Sequence, residues 1–240
     1  GPVMPNGYIE VVVNIGWKEV FPARILSDLL DGMPVALGND ANVAALGEAW
    51  MGGAKHIKDV VMVTLGTGVG GGIITDGKIV PGKHGLGGEI GHMHVRESET
   101  EKCNCGGKGC LEQISSATGI VREARKLLAK KKDTSRLALI EDLTAKDVLD
   151  AAKAGDKLAI EVVDIVAKYL GIALAHIAMT VDPEIFVIGG GVSKAGDFLI
   201  DKIREKFIYY TPITKSKADI VIAKLGNDAG IYGAAKLVIS

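Results

Sequence analysis

Apolar and polar positions change period along this chain, and the changes predict its elements. Residues 8–13 (YIEVVV) read as a strand, and residues 22–31 (PARILSDLLD) have helical spacing with Pro22 at the start. The apolar stretch 33–38 (MPVALG) predicts a short buried strand. Asp40 is then expected to cap a helix that runs to about Met51 and ends at Gly52-Gly53. Residues 60–65 (VVMVTL) form a near-continuous apolar run, as in strands covered on both faces. Residues 70–80 (GGGIITDGKIV) read as two strands around an Asp-Gly turn. No period survives over 82–110. Helices are predicted at about 112–131, 144–153 and 156–180, a strand at 184–190, a helix at 195–207, a strand at 219–225 and a last helix from Asp228. Such alternation predicts an α/β layered fold.

Composition narrows the function classes. With 48% hydrophobic and 24% charged residues in 240, the chain can bury a core, and the formal net charge of -1 argues against a nucleic-acid surface. No apolar run reaches the ~20 residues of a membrane helix, and the opening GPVMPNGYIEVVV has no signal-peptide pattern. These readings predict a cytoplasmic protein with neither membrane nor nucleic-acid partners. The unusual residue is glycine, with 32 of 240, clustered at 66–91, 106–109 and 189–191. Clustered glycine implies backbone brought close to something else.

The first cluster, LGTGVGGG at 65–72, contains Gly66-x-Gly68-x-x-Gly71. It opens a strand rather than a helix, which rules out the dinucleotide fingerprint, and no Lys-Ser/Thr follows, which rules out a Walker loop. It reads either as a ligand-free glycine turn or as a turn whose amides and Thr64 or Thr67 hydroxyls approach a phosphate. Val187-Ile-Gly-Gly-Gly-Val-Ser193 joins a strand to a helix. It reads as a tight turn or as backbone laid against an adenine or ribose. The basic stretch Arg122–Lys132 reads as the solvated face of a helix.

Glu89-Ile-Gly-His92 is followed by Cys103-x-Cys105-x4-Cys110, which uses every cysteine of the chain. One His and three Cys match tetrahedral, closed, structural zinc, with buried or redox thiols as the alternative. His94 is a spare candidate ligand. Asp40 alone would be a helix cap, but it stands with Asn39 and Asn42 in NDAN, and Glu89 and Glu112 flank the cysteine segment. Such polar groups on stiff supports suit a polyhydroxyl ligand, and an Asp at the mouth of that pocket can serve as a general base.

These residues carry a resemblance. GPV at 1–3, NDANVAALGE at 39–48, LGTGVGGG at 65–72, GGEIGH at 87–92, CNCGGKGCLE at 103–112, VIGGGVS at 187–193 and NDAGIYGAA at 227–235 together resemble the ROK family of sugar kinases and repressors, closest to its ATP-dependent glucokinases. The resemblance implies an actin-like ATPase (ribonuclease H-like) α/β fold with two lobes around a cleft. Residues 1–56 with 226–240 would be the remainder of the small lobe, and 57–225 the large lobe. It implies ATP-dependent phosphorylation of the 6-hydroxyl of a hexose, glucose first. Asp40 would be the catalytic base, and Asn39, Glu89, His92 and Glu112 the sugar-binding set. Thr67 and Gly68 would form a phosphate loop and Gly189, Gly190 and Gly191 the adenosine turn. His92, Cys103, Cys105 and Cys110 would hold structural zinc, and Mg²⁺ would accompany ATP. A homodimer or homotetramer is expected.

The pattern departs from the family in two places. Gly38 stands where Glu is frequent. Family members also carry an Asp-x-Gly-Gly-Thr phosphate motif before the GPV segment, so the chain is expected to be N-terminally truncated, with small-lobe strand edges unpaired and catalysis impaired. Rival readings are a sugar-responsive repressor of the same family, a kinase acting on N-acetylmannosamine or another hexose, and a purely structural zinc module.

Overall fold

The computed structural model describes residues 2–4, 6–12, 16–130 and 135–239. In chain order they form β1 (Ile9–Val12), β2 (Trp17–Val20), α1 (Pro22–Leu29), α2 (Asp40–Met51), β3 (Val60–Leu65), β4 (Val69–Thr75), β5 (Lys78–Ile79), α3 (Glu112–Ser115), α4 (Ala117–Lys130), α5 (Ala145–Lys153), α6 (Lys157–Val181), β6 (Ile185–Gly189), α7 (Asp197–Tyr210), β7 (Asp219–Ile222) and α8 (Ala229–Ile239). Short 3-10 turns lie at Ile90–His92, Arg136–Leu139, Gly191–Ala195 and Gly226–Asp228.

The alternation of side chains along β3 builds two cores, one on each face of a single sheet. Val61, Val63 and Leu65 point into a large core with Phe186, Ile188 and the apolar faces of α4, α5, α6 and α7. Val60 and Met62 point the other way, onto Ala45 and Leu46 of α2, with Leu237 of α8 packed alongside. The sheet order is β5-β4-β3-β6-β7. β3 pairs antiparallel with β4 and parallel with β6, and β6 pairs parallel with β7. Asp76 and Gly77, both at positive φ, make the predicted Asp-Gly turn between β4 and β5. Strands β1 and β2 form a separate two-stranded hairpin. Among the described residues no helix is long and apolar enough to cross a membrane.

Helices α2 and α8 cross at contact distance because glycines meet there. A Cβ on Gly47 would overlap the Ala229 carbonyl, and a Cβ on Gly233 would overlap the Val43 carbonyl. The far end of α2 is fixed by Glu48, which is 0% exposed. Its carboxylate accepts from the backbone N–H groups of Gly53 (2.6 Å), Lys224 (3.1 Å) and Leu225 (2.7 Å). A buried carboxylate with several amide donors is well satisfied without a cation.

Several predicted elements change. Residues 33–38 are not a strand: Pro34 lacks an N–H, and no ladder partner lies opposite among the described residues. Val35, Ala36 and Leu37 instead line a cavity of about 430 Å³ with Val3, Met4 and Asn42. The helix predicted over 112–131 is two helices broken at Ser116, which is extended (φ -75°, ψ 169°), and residue 131 lies outside the described residues. Ser116 Oγ accepts from Gly119 N at 3.0 Å and so caps α4. β2 was not predicted, because WKEV has no buried face to impose alternation.

Filling the α2–α8 crossing should be costly. Gly233→Ala is expected to destabilise the protein by about 1–3 kcal/mol through overpacking. Denaturant unfolding measures this directly, and a change below ~0.5 kcal/mol would contradict the close approach.

Candidate functional site

Parallel pairing of β3 with β6 sends both glycine turns out of the same end of the sheet, with Thr64 opposite Gly189. Gly190 has φ +83°, and a Cβ on it would lie 2.5 Å from the Leu65 carbonyl oxygen. Only glycine fits there, for both conformational and steric reasons. The first turn, residues 66–68, is closed by Gly66 N donating to Gly68 O at 3.0 Å.

The amino end of α2 arrives at the same place. Asn39, rather than Asp40, is the N-cap: its Oδ1 accepts from Ala41 N (3.0 Å) and Asn42 N (3.2 Å). Asp40 is the first helical residue and is exposed, where a carboxylate suits the positive end of the helix. A cavity of about 410 Å³ is lined by Asp40, Thr64, Gly68, Glu112 and Gly190, among others. Of the predicted site residues, the structure therefore gathers Asp40, Gly68, Glu112 and Gly190 around one space. Asn39 borders the neighbouring cavity that Asn42 also lines. At Gly38 a Cβ would lie 2.5 Å from Val43 Cγ2, so a Glu there would require Val43 to move.

The irregular segment 82–110 folds back on β4. Gly71 and Gly91 leave no room for a Cβ against Ile90 and the Val69 carbonyl, so the 3-10 turn at Ile90–His92 lies flat on the strand. This turn places Glu89 and His92 together, with His92 Nε2 3.9 Å from Glu89 Oε2. The other ring nitrogen, Nδ1, faces Cys103 Sγ at 3.8 Å. Cys105 Sγ and Cys110 Sγ are 3.6 Å apart, and the ligand atoms of His92, Cys103, Cys105 and Cys110 all lie within 4.8 Å of one another. A tetrahedron with metal–sulfur bonds of about 2.3 Å has edges of roughly 3.7 Å, so the cluster is already the size of a closed Cys₃His metal site. Burial pushes the Cys110 thiol up to about 12 and raises Cys103 as well. Cys105, despite some burial, is lowered by the Gly107 N–H and the adjacent thiols. His94 is not in the cluster: its Nδ1 bonds Lys108 O at 2.7 Å and its Nε2 lies 3.3 Å from Glu97.

Glu112 joins the cysteine cluster to the first turn. Its Oε1 lies 3.8 Å from Cys103 Sγ, and its Oε2 accepts from Val69 N at 3.0 Å. A Cβ on Gly68 would overlap that same Oε2, so glycine at 68 makes room for the carboxylate.

The sequence did not reveal Glu99. Its side chain is 2% exposed, yet it gathers Arg122 (2.7 Å), Lys126 (3.1 Å) and Arg96 (3.7 Å). Arg96 also bonds Glu123 at 2.8 Å and lies 4.5 Å above the Tyr169 ring. Arg122 and Lys126 are therefore not a solvated face, as read from the sequence; they clip the cysteine-bearing loop to α4. The Glu99 carboxyl is lowered: burial opposes this, but bonds from Lys126 and the Glu101 N–H and the charge of Arg122 outweigh it. A buried acid shows no periodic signal, and the cations on α4 read as an ordinary solvated face.

The ROK family model matches residues 1–240, and the chain belongs to that family. It is 48% identical over 240 residues to a glucokinase of Halalkalibacterium halodurans, covering 98% of this chain and 72% of that protein. It is 41% identical over 211 residues to a glucokinase of Thermotoga maritima, covering 86% of this chain and 66% of that protein. The crystal structure of a ROK family glucokinase from Streptomyces griseus in complex with glucose and AMPPNP superposes with a TM-score of 0.84 at 34% identity, over 99% of this chain and 78% of that one. The actin-like ATPase fold expected from the sequence is that of these relatives, here with one mixed sheet between helical layers.

The Glu99 network sets an acid limit on stability. A carboxyl lowered in the folded state stabilises it above its unfolded pKa, and that stability is lost as pH falls through the lowered folded value. Glu99→Gln is expected to cost about 1–3 kcal/mol at neutral pH by leaving half-buried cations short of a partner. The parent and variant stabilities should converge as the pH is lowered into the acid range. Denaturant titrations at neutral and acid pH test both; a constant difference would contradict the assignment.

Proposed function

We propose that this ATP-dependent sugar kinase transfers the γ-phosphoryl group to the 6-hydroxyl of a hexose, glucose first. The observation that carries the reading is the meeting of Asp40, Gly68, Glu112 and Gly190 around one cavity of about 410 Å³. The glucokinase relatives and the glucose-bound neighbour support it. In this reading the Asp40 carboxylate takes the proton of the sugar hydroxyl as its oxygen bonds the γ-phosphorus, and the bond from that phosphorus to the β,γ-bridging oxygen breaks, releasing ADP. MgATP is the co-substrate. Backbone amides at Thr67 and Gly68 face its phosphates, and the 189–191 turn lies along the adenosine. Asn39, Glu89, His92 and Glu112 hold the sugar hydroxyls.

We assign zinc to His92, Cys103, Cys105 and Cys110. When bound there it would act as a structural cross-link, with His92 ligating through Nδ1 and presenting Nε2, beside Glu89, to the sugar. The thiols are not in disulfides, which suits a reducing compartment, and we place the enzyme in the cytoplasm. A residue at Asp40 that can act as a base favours the kinase over a sugar-sensing repressor.

Asp40→Asn should lower kcat for glucose by about 10²–10⁴-fold while leaving glucose affinity within a few-fold, measured by coupled ADP release and calorimetry. Equal turnover would overturn the role of Asp40. Metal analysis should find one zinc per chain, and Cys105→Ser should lose most of it and weaken sugar binding. A metal-free parent that binds glucose normally would overturn the zinc assignment.

A further inference from the structure

The turn that meets phosphate in the reading above is held by its carbonyls. Gly66 O accepts from Ala117 N at 2.8 Å, Thr67 O from Thr118 Oγ1 at 2.9 Å and Gly68 O from Gly66 N at 3.0 Å. Two of these carbonyls are thus drawn toward the first turn of α4, and the third closes the turn on itself. The amides of Thr67 and Gly68, by contrast, have no acceptor among the described residues. Consecutive N–H groups freed in this way form an anion-binding concavity, and what frees them is the fixing of the carbonyls on the opposite side of the same peptide planes.

One of those two anchors is a side chain. Thr118 is exposed and outside the core, so its bond to Thr67 is not a by-product of burial. Its hydroxyl also lies 2.9 Å from Ser116 Oγ, and Ser116 Oγ lies 2.7 Å from Glu112 O. The Ser116 hydroxyl donates to Glu112 O, and the Thr118 hydroxyl donates to Thr67 O. Ser116 and Thr118 thus stand side by side at the start of α4, one bonded to the Glu112 backbone and the other to the phosphate-facing turn.

We infer that Thr118 is a positioning residue for MgATP: its hydroxyl holds the Thr67–Gly68 peptide so that the Gly68 amide points at phosphate, while the Ala117 N–H does the same for the Thr67 amide through the Gly66 carbonyl. The inference rests on the kinase reading. It concerns the nucleotide and not the sugar, because Thr118 touches the turn through the Thr67 carbonyl alone.

The test uses Thr118→Val, which keeps the shape and removes the hydroxyl, and Thr118→Ser, which keeps the hydroxyl. Affinity for a non-hydrolysable ATP analogue with Mg²⁺ is measured by calorimetry, and KM for ATP and for glucose by coupled assay. Thr118→Val should weaken analogue binding and raise KM for ATP by about three- to tenfold, the loss of one hydrogen bond, with KM for glucose within twofold of the parent. Thr118→Ser should match the parent. Should the Val variant fold poorly, Thr118→Ala should show the same nucleotide-selective loss. Unchanged analogue affinity in the Val or Ala variant, or a Ser variant as impaired as Val, would overturn the inference. A parent that binds the analogue but phosphorylates no hexose would instead overturn the kinase reading, while the binding comparison still decides the role of Thr118.

Discussion

The parallel pairing of β3 with β6 is the constraint on which the rest of the site depends. The register that sets Thr64 beside Gly189 delivers two glycine turns side by side at one end of the sheet. A shift of one residue would carry Val61, Val63 and Leu65 out of the larger core. The hydrophobic effect thus fixes the positions of the turns, although no apolar side chain needs to meet a ligand. Gly190 is part of the same constraint, since any side chain there would strike the Leu65 carbonyl and separate the turns.

Around this fixed end the molecule arranges polar groups on separate supports. α2 brings Asp40 in from one face, laid close over β4 because Gly72 leaves room for Ala41 and Ala45. The cysteine-bearing loop brings Glu89 and His92 along β4, and Glu112 follows two residues after Cys110. Glu112 faces both systems, one carboxyl oxygen toward Cys103 and the other on the Val69 amide. The loop is held at its back by the ion pairs around buried Glu99, where Gln113 also bonds Glu101 O at 3.1 Å and Cys110 N at 3.2 Å. The site is stiff because each arm is attached at more than one point.

Much of this was legible in the sequence, and the reasons differ by residue. The buried strands over 60–65 and 184–190 were plain because burial on both faces leaves an uninterrupted apolar run. The Cys₃His set was plain because spacing alone restricts which residues can meet around one ion. The stretch 33–38 misled because apolar residues near Pro34 mimic a strand, and apolarity does not supply a ladder partner. The break at Ser116 was hidden because helical period continues on both sides of it, and a single extended residue leaves no trace in a periodicity. Glu99 and Thr118 were invisible for another reason. What they do depends on partners 23 and 51 positions away, on Arg122 and Thr67. Such pairings come from the topology, which the local pattern does not encode.

Glu48 shows how a constraint can act on a position without selecting its side chain. Its carboxylate holds the main chain at Lys224 and Leu225, not their side chains. Any residue with an N–H satisfies it equally, and proline is the one residue chemically excluded. The side chains at Lys224 and Leu225, in the joint between β7 and α8, can therefore vary while the joint keeps its shape. Both members of the crossing pair, α2 and α8, are held through it as one body. The negative charge at its centre is spread over amide dipoles instead of a cation, so added salt has no exposed ion pair there to screen.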